Sequence, residues 1–122
     1  MQQIASPFTL PNGSVLKNRI AKSAMSENIG TFNNAPTPTL INAYSVWAKG
    51  DPGLLITGNV MVDSRALGEP KNVVVEDYTH FDLLKQWANT VEGTGLHLAL
   101  IHIAEPTRRE AISYAVFCLK KR

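Results

Sequence analysis

The sequence predicts an α/β fold running hairpin, β, α, β, α, β, and three observations predict it. Asn12-Gly13 separates two short apolar segments, the usual mark of a hairpin. Residues 37–50 and 81–91 repeat apolar side chains at helical spacing. Short apolar runs at 54–57 and 96–100 follow them, as strands of a parallel sheet covered on both faces would. Right-handed crossovers are the default for this order.

The hairpin joins Phe8-Thr9-Leu10 to Ser14-Val15-Leu16 through Pro11-Asn12-Gly13, where both Asn and Gly tolerate positive φ. The next segment, 16–26, is the most telling. Ile20 and Ala21 suit a strand inside a sheet, at about 19–23, while Ser23 and Ser26 bring hydroxyls and open backbone groups to its C-terminal end. Parallel α/β folds place their chemistry at that end, and a flat cofactor fits such a surface. The plainer alternative is that the two serines satisfy a turn.

Residues 28–36, rich in Asn, Gly and Pro, read as an irregular loop. Thr37 and Pro38 then serve as N-cap and first residue of a helix, because proline lacks only a donor that the first turn cannot use. Leu40, Ile41, Tyr44, Trp47 and Ala48 form its apolar face, and Gly50 is expected as a left-handed cap with Pro52 beyond. The strand at 54–57 follows, and Val60-Met61-Val62 either extends it or opens the next loop. Residues 63–78 read as a long loop. The second helix, 81–91, turns Phe81, Leu84, Trp87, Ala88 and Val91 to one side and is ended by Gly93-Thr94-Gly95. A third strand occupies 96–100.

A chain of 122 residues with 44% hydrophobic residues is ordinary for a globular domain. Its net charge of +2 comes from the tail: residues 1–100 carry seven Lys or Arg against eight Asp or Glu, residues 101–122 five against two. The body has no basic stripe interleaved with aromatics, so no nucleic-acid partner is expected. No apolar run is long enough for a bilayer, and Met1-Gln2-Gln3 does not begin like a signal peptide, so no membrane role is expected. The single cysteine, Cys118, fits a reducing compartment, and a cytoplasmic location is expected.

Gly58 and Asn59, at the end of the second strand, are further candidates for contact with a flat ligand. Glycine permits close backbone approach, and the carboxamide offers both donors and acceptors. The competing reading is a polar loop start. His80, His97 and His102 lack a partner at metal-ligand spacing, so no metal site is expected. Glu69 and the pair Glu76-Asp77 read as solvated charges in a polar loop. No Gly-x-Gly-x-x-Gly follows a strand, and no Walker loop is present.

Seven pieces occur in a particular order: Ser6-Pro7-Phe8, Leu10-Pro11-Asn12-Gly13, Leu16-Lys17-Asn18-Arg19-Ile20, Ser23-Ala24-Met25-Ser26, Trp47-Ala48-Lys49-Gly50, Ile56-Thr57-Gly58-Asn59-Val60 and Leu67-Gly68-Glu69-Pro70. Together, over roughly residues 6–100, they resemble the Old Yellow Enzyme family of FMN-dependent NAD(P)H:flavin oxidoreductases and ene-reductases. The resemblance implies the N-terminal part of a (β/α)8 TIM barrel, with the hairpin plugging the N-terminal mouth. It also implies hydride transfer from NAD(P)H through FMN to an electron-poor alkene or similar small molecule. Ser23, Ala24 and Met25 would follow the flavin with backbone and side-chain contacts. Ser26 would direct its hydroxyl to the O4/N5 side of the ring. Asn59 takes the position of a small residue in the family, where Gly58-Asn59 departs from the usual Glu-Gly or Glu-Ala. No catalytic residue is assigned, since the family's proton-donating tyrosine lies further along the barrel.

The likeness stops at Ile101, where the family pattern calls for glutamine and this chain reads Ile101-His102-Ile103-Ala104-Glu105. Residues 1–100 are therefore expected to form a partial barrel domain and 101–122 a divergent tail foreign to the family. A closed barrel needs about 200 residues or more. The expectation is an incomplete barrel, inactive alone, whose other walls are absent. The alternative is a non-enzymatic interaction domain pairing with another polypeptide.

Overall fold

The computed structural model describes residues 2–103. The apolar run at 111–119, Cys118 and most of the expected divergent tail lie outside the described residues.

A one-turn helix, α1 (Gln2–Ala5), leads into the hairpin of β1 (Phe8–Thr9) and β2 (Val15–Leu16), which pairs Phe8 with Leu16 and Thr9 with Val15. The turn closes through Gly13 N to Leu10 O at 2.9 Å and Leu10 N to Ser14 O at 2.8 Å. Of its residues only Gly13 is left-handed, at φ 86°. Asn12 contributes through its side chain, whose Oδ1 accepts from Ser14 N at 3.0 Å. The loop is thus a three-residue hairpin with a single left-handed glycine.

The main sheet is parallel throughout and centred on β4 (Leu54–Met61). Its partners are β3 (Ala21–Lys22), β5 (Val73–Val74) and β6 (His97–Ile103). Between the strands run α2 (Pro38–Lys49) and α3 (Phe81–Ala88), the latter continued by a 3₁₀ turn, Asn89–Val91. This is the expected α/β order, in an open sheet that does not close on itself among the described residues.

The core lies between sheet and helices. Leu40, Tyr44 and Ala48 of α2 pack with Leu55 and Val60 of β4, Val73 of β5, Trp87 of α3, and Leu96. Tyr44 is fully buried and meets Trp47 and Trp87 edge-on, with ring centroids 5.0 and 5.1 Å apart. Such edge-to-face pairs match the positive ring edge to the negative face.

Several expectations change. The first parallel strand is two residues long, and Ile20 beside it is 51% exposed rather than buried. β3 meets only β4 among the described residues, so its other flank is open. Helix α2 ends at Lys49 as expected, but Gly50 is right-handed (φ −70°) and the left-handed residue is Asp51 (φ 59°). The N–H groups of Gly50 and Asp51 bond back to Trp47 O and Ala48 O at 3.0 and 3.1 Å, which delays the reversal by one residue.

Gly58 and Asn59 lie inside β4, not beyond it, because the strand runs on to Met61. A register shift between Ile56 and Asn59 marks an irregularity, where Thr57 Oγ1 accepts from Ile101 N at 2.9 Å. Within the supposed loop at 63–78, Val73 and Val74 form β5 against Val60 and Met61. The run Val73-Val74-Val75 was the signal for it. β6 continues to Ile103, past the strand end expected at residue 100.

Candidate functional site

The segment leaving β3, residues 23–27, crosses the C-terminal part of the sheet beside the irregularity in β4. Lys22 fastens its start: Nζ donates to Ser23 O and Ile56 O, each at 3.0 Å, and stands 4.6 Å from the Trp47 ring centroid. Partial burial pushes the Lys22 ammonium below its ordinary pKa, with the Glu27 charge opposing. Ser23, Ala24 and Met25 are exposed, and Ser23 enters the site through its backbone carbonyl.

Glu27 fastens the other end. One carboxylate oxygen accepts from the Tyr44 hydroxyl and from Gly58 N, the latter at 3.1 Å. Gly58 N also lies 3.2 Å from the Tyr44 oxygen. A Cβ at Gly58 would collide with the Met25 carbonyl oxygen and the Glu27 carboxylate, so the approach requires glycine. Burial first, and the Glu27 carboxylate second, hold the Tyr44 phenol far above the usual tyrosine range.

Ser26 is held by the loop after β4. Its hydroxyl donates to Glu69, and Asn72 Nδ2 approaches its oxygen at 3.4 Å. Asn72, 2% exposed, also accepts from Glu69 N through Oδ1 at 2.7 Å. Glu69 is therefore not the freely solvated charge that its loop position suggests. With its hydrogen committed, Ser26 has lone-pair capacity left toward a ligand.

Asn59 is half-buried and lines a small pocket with Glu27, Asn28, Asn72 and Trp87. Its carboxamide has no hydrogen-bond partner among the described residues. The structure thus gathers Ser26 and Asn59 around Asn72 and Glu27, with Ser23, Ala24 and Met25 forming the open approach. Glu27, Tyr44, Glu69 and Asn72 are the contributors that sequence reasoning missed. His80 is structural, its Nε2 lying 3.1 Å from Asn33 O, and His97 is exposed on β6. The side chain of His102 lies outside the described ones.

Parallel strands alternating with helices define an open parallel α/β segment, with exposed polar residues following its first strand. No family model matches the chain. It is 36% identical over 107 residues to the NADH-dependent flavin oxidoreductase iliE of Hypocrea jecorina, covering 84% of this chain and 26% of that protein. To the NADH-dependent flavin oxidoreductase iccE of Talaromyces variabilis it is 34% identical over 85 residues, 69% of this chain and 20% of that one.

Among solved structures, the Old Yellow Enzyme homologue of Zymomonas mobilis superposes with TM-score 0.70 at 18% identity, covering 82% of this chain and 27% of that chain. The Old Yellow Enzyme of Trypanosoma cruzi gives 0.72 at 17% identity, with 84% and 27% covered. The chain is thus similar over most of its length to the NADH:flavin oxidoreductases of the Old Yellow Enzyme family, and its fold is part of their TIM barrel. It spans about a quarter of the length of these relatives.

Proposed function

We propose that Ser23, Ala24, Met25, Ser26 and Asn59 form one wall of an FMN site in an NAD(P)H-dependent flavin oxidoreductase acting on an electron-poor alkene or similar small molecule. The observation that carries this reading is the Asn59 carboxamide, without a hydrogen-bond partner among the described residues, in a pocket whose Asn72 also approaches the Ser26 hydroxyl. A flavin's polar edge presents both donors and acceptors, and a carboxamide, a serine lone pair and exposed backbone groups suit it. FMN, when bound, carries the hydride between nicotinamide and acceptor. The chain's own groups hold the wall rigid: Lys22 ties Ser23 to β4, Glu27 ties the segment to Gly58, and Asn72 with Glu69 orients Ser26.

NADH is the favoured donor, because the relatives named above are called NADH-dependent. The proposed compartment is the cytoplasm, on the single Cys118. Among the described residues no helix is long and apolar enough to cross a membrane. Turnover is proposed for a protein of the relatives' length; the 122-residue chain supplies one wall and by itself oxidises no NADH.

The test is a chimera in which residues 6–100 replace the matching stretch of the Hypocrea jecorina relative. Retention of bound FMN and NADH oxidation supports the wall. A folded chimera without flavin overturns it. Saturable FMN binding with NADH turnover by the 122-residue chain would overturn the one-wall reading. The open flank of β3, with Ile20 exposed, favours a second reading, pairing with another polypeptide, and co-purification with a flavoprotein would distinguish it.

A further inference from the structure

Trp87 is 3% exposed, and its buried Nε1–H has no hydrogen-bond partner among the described residues. Buried donors are almost always paired with protein or ordered water. An indole N–H can only donate, so its partner must be an acceptor. Trp87 lines the same small pocket as Asn59, whose carboxamide is also without a partner among the described residues. Glu27, Asn28 and Asn72 add polar lining, while Leu40 contributes an apolar part. The pocket has room for about one water molecule, and an internal water needs two to four polar partners.

We infer that one ordered water occupies this pocket, accepting from Trp87 Nε1–H and bonding the Asn59 carboxamide. The water joins α3 to the irregular stretch of β4 and fixes the orientation of the Asn59 amide. A carboxamide has two donor hydrogens and two acceptor lone pairs, so one water leaves capacity for a cofactor.

The test uses the ¹⁵N-labelled 122-residue chain, with the half-buried Trp47 as internal reference. The Trp87 indole N–H, assigned with Trp87→Phe, is expected to show a cross-relaxation peak to a long-lived water. Asn59→Leu, which removes no hydrogen bond of the carboxamide within the described protein, is expected to abolish that peak and shift the Trp87 resonance while leaving Trp47 unmoved. Should Trp87→Phe fail to fold, sequential assignment of the wild-type indole serves instead. A missing water peak at Trp87, or one unchanged in Asn59→Leu, overturns the inference.

Discussion

Tyr44 donates its phenolic hydrogen to Glu27, joining the buried face of α2 to the segment that leaves β3. The same carboxylate oxygen takes the Gly58 N–H, so one acidic side chain binds three elements together. Tyr44→Phe removes the phenol and is expected to destabilise the chain by about 1–3 kcal/mol at neutral pH. The phenol's folded pKa is raised above its unfolded value, so its stabilisation is full below about pH 10 and is lost as pH climbs toward the folded value. Urea unfolding across the alkaline range checks this. Wild type should lose stability above about pH 10 more steeply than Tyr44→Phe; equal slopes would show that the phenol carries no such linkage.

Gly58→Ala tests the close approach directly. The added methyl meets the Met25 carbonyl and the Glu27 carboxylate, both held by backbone or by buried partners. We expect a loss of about 1–3 kcal/mol, of the size found for overpacking. Gly13→Ala is the control, because nothing lies near its Cβ position and only the positive φ of 86° opposes it. Its penalty should be about 1–2 kcal/mol. The discriminating measurement is the amide spectrum: Gly58→Ala should move the resonances of residues 24–27, and Gly13→Ala should not.

What the sequence made legible was local, and what it hid was long-range. Helix α2 could be read because Thr37 and Pro38 announce its start, and Thr37 Oγ1 does accept from Leu40 N at 3.1 Å. The end of β3 could be read as a candidate wall because serines there follow an apolar pair. Its supports could not, since Tyr44 is 17 residues from Glu27, Gly58 is 31 away, and Glu69 is 43 from Ser26. β5 escaped for the same reason. The three valines at 73–75 were its local signal, and only the pairing of Val73 and Val74 with Val60 and Met61 turns that short run into a strand. Asp51 took the left-handed position expected of Gly50 because the helix finished with one more backward bond.

Asn72 is expected to matter more than the acidic residue it supports. It is buried, and its carboxamide both accepts from Glu69 N and donates to Ser26. Asn72→Ala should lower stability by about 1–3 kcal/mol, because it leaves a polar loop without its internal partner. Glu69 is exposed, and Glu69→Ala should shift stability by about 1 kcal/mol or less. The Ser26/Glu69 double-mutant cycle should nonetheless return a coupling of about 0.5 kcal/mol or more. Additive single effects would show that the hydroxyl and carboxylate do not act together.

Thr57 makes the last of these joints. Its side chain, within a residue that is 1% exposed, accepts the Ile101 N–H where the register between β4 and β6 shifts. The hydroxyl therefore supplies the acceptor for the Ile101 N–H at the irregularity, and it helps hold β6 beside β4 there. Thr57→Val keeps the shape but removes the acceptor, leaving the Ile101 N–H unpaired, and should cost about 1–3 kcal/mol. Thr57→Ser restores the bond while losing one methyl, and should cost about 1 kcal/mol. Amide exchange separates this from a general loss of stability. At Ile101 exchange should accelerate in Thr57→Val beyond the change in global unfolding, return toward wild type in Thr57→Ser, and change at Leu98 and Ala99 only with global stability. Equal protection of Ile101 in the valine and wild-type chains would show that β6 is held at this point by its neighbouring ladder bonds instead.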